Sequence, residues 1–160
     1  RRMVGLETVT GDDVLTSRKR PDTIARCTFG LDVHCPMAHT GPEAVQVGGV
    51  ACRRSCGKRD CHMLTQHLDQ VPEHGAAADR SWYDIPWGAL VSADLRNLAT
   101  CGRSVSADHR AMASLRVMGP AMATGQAAGE GAAMAAASGD LTQVDVAELQ
   151  RRLRSTGAAI

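Results

Sequence analysis

Large aromatic rings are nearly missing from this sequence: Phe29, Trp82, Tyr83 and Trp87 are the only aromatic residues among 160. The surfaces that ordinarily anchor a core of this size are therefore scarce, and alanine, glycine and methionine are expected to fill the space. An excess of charge of one sign is missing too. The 18 Lys and Arg face 17 Asp and Glu, a formal net charge of +1, which argues against a duplex-sized nucleic-acid footprint and against a polybasic membrane anchor. There is no long aliphatic run. Residues 117–137 come nearest, but Gln126 and Glu130 interrupt them and Ala and Gly build them, so they make a poor membrane span. No charged-then-apolar leader follows Arg1. With so few large apolar residues for a core, the expectation is that the chain is a piece of something longer.

What is present fits one soluble domain, at 44% apolar and 22% charged. Cys27, Cys35, Cys52, Cys56, Cys61 and Cys101 occur without a signal peptide and without the density of a small secreted scaffold. Reduced thiols and a cytoplasmic setting are the expectation. Residues 2–9 alternate loosely as an opening strand would. Residues 10–20 read as a short helix, with Thr10 and Asp13 forming a capping box, Arg18, Lys19 and Arg20 at the negative end of the dipole, and Pro21 as the stop. Residues 23–34 suggest a strand pair around Gly30. Periodicity fails from Pro36 to Arg80, so an irregular insertion is expected there, with one short helix at 62–69.

Order returns at SWYDIPWGALV, two short extended pieces around Pro86 and Gly88. Residues 98–101 read as a buried strand that turns tightly at Gly102. A long helix is expected over 120–137 and a last one in DVAELQRRLRSTG. Asp145 would cap the last helix, Glu148 would close the box, Val146, Leu149 and Leu153 would share one face, and Gly157 would end it. Strand, glycine turn and small-residue helix together suggest an α/β layer returning to a parallel sheet whose other strands lie elsewhere.

Two constellations carry chemistry. Gly119, Gly125, Gly129 and Gly131 leave one face of the long helix almost without side chains, at about 1 kcal/mol per interior glycine relative to alanine. Either a ligand approaches there, attracted by free amides near Ala121 and Met122 and by the positive end of the dipole, or another helix packs tightly. The second constellation is Cys52, Cys56, Cys61 and His62, soft ligands within eleven residues. A metal-stabilised binding module is one reading. The spacing matches neither a paired zinc ribbon nor a ferredoxin run, and an insertion loop with free cysteines is the other reading.

The string SWYDIPWGALV, NLATCGRSVSADHRAMASLRVMGPAMATGQAAGEGAAMAAASG and VDVAELQRRLRSTGA resembles the carboxy-terminal end of a family of FAD-dependent oxidoreductases. Members show a YDIPY-type segment, a strand ending in Ala-Gly-Arg, Ser-x-x-His, Ser-x-Arg-Val-Met and a small-residue helix. RRMVGLETVTGDDVLTSRKRPDTIARCTFGLDVH is similar to the segment preceding that block. The resemblance covers about residues 1–35 and 81–159. It implies an α/β fold: the carboxy-terminal part of a FAD-binding doubly wound domain over 81–160, part of a substrate-domain sheet over 1–35, and the insertion over 36–80.

The resemblance also implies a site. Gly102 and Arg103 would pass the ribityl and pyrophosphate part of FAD, with Ser106 and His109 in the next turn. Arg116, Val117 and Met118 would lead into the helix at Gly119, whose N-terminus, near Ala121 and Met122, would face flavin N1 and its C2 carbonyl. His109 would be the catalytic proton carrier. The implied reaction passes a hydride between a small organic substrate and flavin N5. The G-x-G-x-x-G turn by which the family holds the ADP half is not in this sequence. A missing amino-terminal half is therefore the expected partner, with no nucleic acid and no membrane, and the chain alone is expected to be inactive.

Overall fold

The computed structural model describes residues 3–31, 45–47, 50–52 and 82–160. Helix α1 spans Gly11–Leu15 and starts with the capping box written in the sequence: the Asp13 amide donates to the Thr10 hydroxyl, and the Thr10 amide donates to the Asp13 carboxylate at 2.8 Å. It is shorter than expected. The chain leaves it through Ser17 at φ 51°, so no basic residue stands in its last turn. Arg18, Lys19 and Arg20 have other uses. Arg18 Nη1 lies 2.9 Å from Asp13 Oδ1, and Arg20 pairs with Glu7 while its amide donates to Asp84 Oδ2 at 2.7 Å. The Lys19 ammonium sits 3.7 Å over the ring of Trp82.

Burial raises the Asp13 carboxyl, but the Thr10 amide, the Arg18 guanidinium and the Thr10 hydroxyl, with Arg20 beyond, outweigh burial and hold it below the usual carboxylate range. A carboxyl depressed on folding contributes stability above its unfolded pKa of about 4, and loses it as the pH falls through the folded value. Asp13→Asn is expected to lower stability at neutral pH by about 1 to 2 kcal/mol and to flatten the acid limb of the profile. Urea titrations across the acid range check this. An acid limb as steep as that of the parent would remove Asp13 as its source.

Strand β1, Thr23–Cys27, pairs antiparallel with β4, Tyr83–Pro86, in the register Ala25↔Ile85, Arg26↔Asp84 and Cys27↔Tyr83. Strands β2, Val45–Val47, and β3, Val50–Cys52, form a second antiparallel pair. β1 thus finds a partner 60 residues on, the second half of the strand pair expected around Gly30 lies mostly outside the described residues, and the 36–80 stretch holds a hairpin rather than only loop. The helix expected at 62–69 lies outside the described residues. The opening strand is reduced to bridges: Gly5 pairs with Ser92, and Val9 runs parallel to Ala107. That bridge is the parallel pairing among the described residues, and both ladders are antiparallel; the mix of helices and small sheets is compatible with an α/β fold.

After β4 the second extended piece is instead a 3-10 turn over Trp87–Ala89. The strand expected at 98–101 is a single bridge from Ala99 to Val91, with Leu98 exposed, although the chain does turn at Gly102 with φ +59°. Helix α2 covers His109–Leu115, α3 covers Met118–Ala135 and α4 covers Val146–Ser155. Asp145 caps α4 as expected, and Gly157 leaves it at φ +85°. Glu148 does not close a box: its carboxylate accepts from Arg152 Nε at 2.8 Å and pairs with Arg151. Surface charge pairing within one helix takes the Glu148 carboxylate away from the box and leaves the Asp145 cap in place.

The core forms where β1, β4, α3 and α4 meet. Branched aliphatic residues carry it: Ile24, Ile85, Leu90, Leu115, Leu149 and Leu153 are fully buried. Alanine contributes through Ala25, Ala89, Ala111 and Ala127, and methionine through Met112 and, packed against the core, Met134, while Met118 and Met122 face outward. Of the aromatics, Trp87 packs its ring on Gly131 and donates from Nε1 to the Leu141 carbonyl at 3.3 Å. The Tyr83 hydroxyl meets Ser114 Oγ at 2.8 Å. Burial, with the Cys27 thiol beside it, holds that phenol far above its usual range, so it stays neutral.

Candidate functional site

The turn at Gly102 and the start of α3 are brought together by the sequence between them. Asp108 caps α2 by accepting from the Ala111 amide at 2.7 Å and also accepts from the Gly11 amide at 2.9 Å, which ties α2 to α1. Arg116 ends α2, its amide donating to the Met112 carbonyl at 3.1 Å. Val117 then redirects the chain into α3 without any side-chain cap. From the other side, Gly102 approaches α3 so closely that a Cβ on it would lie 3.4 Å from the Ala121 Cβ. Its amide donates to Thr124 Oγ1 at 3.0 Å. Thr124 is 1% exposed, and its hydroxyl in turn donates to the Pro120 carbonyl at 2.7 Å.

The amides available at this helix end differ from those expected. Ala121 N already donates to Val117 O at 3.2 Å, so the free donors are those of Met118 and Gly119, while Pro120 has none. Met118 and Met122 flank them at 82% and 75% exposure. A Cβ on Gly119 or Gly129 would meet nothing within 4 Å, whereas one on Gly131 would lie 2.2 Å from the Trp87 ring. The glycine face therefore divides: Gly131 answers to internal packing and Gly119 to open space.

Of the residues singled out in the sequence, Gly102, Ala121, Arg116, Val117, Met118, Gly119 and Met122 gather around the start of α3. Arg103 is exposed on the same turn as Gly102. Ser106 is buried, with its hydroxyl 2.9 Å from Thr8 Oγ1 and its amide donating to the Ala89 carbonyl at 2.9 Å. His109 stands exposed at the opposite end of α2 from Arg116, about 10 Å along the axis at 1.5 Å per residue. Thr124 was overlooked, although it is the only hydroxyl residue in the 118–137 stretch.

Cys52 ends β3, and Cys56, Cys61 and His62 lie outside the described residues. Among the described residues no group of His, Cys, Asp and Glu could hold a metal ion, and no helix is long and apolar enough to cross a membrane. Cys27 is buried and Cys101 exposed, both as free thiols.

An uncapped helix start, a left-handed glycine turn packed on it and two solvent-facing methionines suit a flat, partly apolar group with an electron-rich edge. The chain belongs to the FAD dependent oxidoreductase family, whose model matches residues 1–153. It is an oxidoreductase and a flavoprotein, and FAD is its cofactor. The match runs through residues 36–80, so nothing in it favours the metal-module reading of Cys52, Cys56, Cys61 and His62. No curated protein and no solved structure matches the chain.

Proposed function

We propose that the start of α3 and the Gly102 turn hold the isoalloxazine and ribityl parts of FAD in an enzyme that oxidises or reduces a small organic molecule. When bound, FAD exchanges a hydride with substrate at N5 and carries the charge of its reduced form near N1 and the C2 carbonyl. The observation that carries this reading is the open α3 N-terminus, where the Met118 and Gly119 amides lack intrahelical partners and Gly119 leaves room for a close approach. These amides and the Arg116 guanidinium stabilise that negative charge without reorganising, because α2 and α3 fix their position. Met118 and Met122 cover the ring and exclude water from it. Gly102 and Arg103 run beside the ribityl and pyrophosphate part.

Ser106 orders the turn through Thr8 rather than through a direct contact. His109 takes or gives the substrate proton from the far end of α2. The ADP half is held by polypeptide outside these 160 residues, so the chain alone binds FAD weakly and does not turn over. Titrating FAD into this chain and into the complete polypeptide of its gene, followed by flavin fluorescence, tests the reading. The complete protein is expected to bind stoichiometrically, and Arg116→Ala to weaken binding about tenfold and to make the flavin potential more negative. Tight binding by the 160-residue chain would refute the split. Unchanged affinity and potential in Arg116→Ala would remove Arg116 from the site.

A further inference from the structure

We propose that Thr124 is a positioning residue that locks the Gly102 turn onto the first turns of α3 and thereby sets the geometry of the flavin pocket, an inference that rests on the flavin reading above. The hydroxyl does two things at once. Oγ1 accepts from the Gly102 amide at 3.0 Å and donates to the Pro120 carbonyl at 2.7 Å, with the Ala121 carbonyl 3.3 Å away. The residue is fully buried, so no water substitutes readily for either bond.

The neighbours explain why such a lock is required. Gly102 is left-handed and has no side chain with which to hold itself, and Gly119 and Gly125 flank Thr124 on a helix whose open face offers little packing. A turn attached only through the 3.4 Å approach of Gly102 to Ala121 could slide along α3. The bond from the Thr124 hydroxyl to the Pro120 carbonyl, four residues back, selects the χ1 rotamer that turns Oγ1 toward the Gly102 amide. Arg103 follows Gly102 directly, and the Met118 and Gly119 amides precede Pro120. Thr124 thus joins the two halves of the pocket through one oxygen and touches neither cofactor nor substrate.

Thr124→Val keeps the shape and removes both bonds, whereas Thr124→Ser keeps the hydroxyl. In the complete polypeptide, Val is expected to raise the FAD dissociation constant about 3- to 10-fold and to shift the visible flavin band and midpoint potential, and Ser is expected to restore all three. In the 160-residue chain without FAD, exchange of the Gly102 amide is expected to quicken in Val and not in Ser. Two results overturn the proposal: parent-like affinity, spectrum and potential in Val, or parent-like Gly102 exchange in Val. A parent polypeptide that takes up no FAD would sink the flavin reading and the pocket role with it. Quickened exchange in Val would then show that the lock itself exists, which keeps the two failures apart.

Discussion

Gly131→Ala is expected to destabilise the chain by about 1 to 3 kcal/mol, although alanine is the better helix former by about 1 kcal/mol. The Cβ it adds would fall 2.2 Å from Trp87 Cη2, with two further ring carbons within 3 Å. A ring cannot swing aside like the end of a flexible chain. Trp87 is also buried and held by its bond to the Leu141 carbonyl, so the indole must break that bond or push α3 off the sheet. Gly129→Ala, two positions earlier, provides the control. Nothing lies within 4 Å of that Cβ, and the same substitution is expected to stabilise by about 0.5 to 1 kcal/mol. Urea midpoints followed by circular dichroism separate the two. A Gly131→Ala protein as stable as Gly129→Ala would show that Trp87 does not rest on α3 as described.

Gly119→Trp is expected to leave folding nearly untouched and to weaken FAD binding by roughly 10- to 100-fold in the complete polypeptide. A Cβ at Gly119 would meet no protein atom within 4 Å, so the position opens to space into which a larger side chain can extend. If the flavin ring occupies that space, the indole competes for it and separates the ring edge from the Met118 and Gly119 amides. Fluorescence titration together with a thermal melt checks both halves. A variant that melts normally and binds FAD as the parent does would place the cofactor elsewhere.

Local chemistry was legible in the sequence where it depended on neighbours a few residues apart. Thr10 with Asp13, Asp145 before α4, the turn at Gly102, and the long helix, shifted by two residues at each end, all follow from caps and glycines. The pairing of β1 with β4 was not legible, because their partners are separated by a stretch whose length says nothing about what it brings together. The hairpin of β2 and β3 was legible but missed. Val47 and Val50 flank Gly48-Gly49, a two-residue turn signal hidden by the lack of longer alternation. At the site, α3 starts two residues before the position that Pro120 suggests as a first-turn residue, because the Val117 break is set by the end of α2. Thr124 and Trp87 act through contacts with Gly102 and Gly131, which no periodicity encodes.

The Gln150 side chain donates to the Pro21 carbonyl at 2.8 Å and to the Thr23 carbonyl at 2.9 Å, so α4 closes over the start of β1 across 127 residues of chain. On a ribosome adding about 5 to 20 residues per second, β1 emerges roughly 6 to 25 s before the helix that covers it. Through that interval Ile24 and Ala25 have no permanent neighbour from α4, and the nascent chain exposes a strand able to pair with another copy of itself. The yield of soluble protein should therefore depend on translation speed and on chaperone supply more than the stability of the finished fold would suggest.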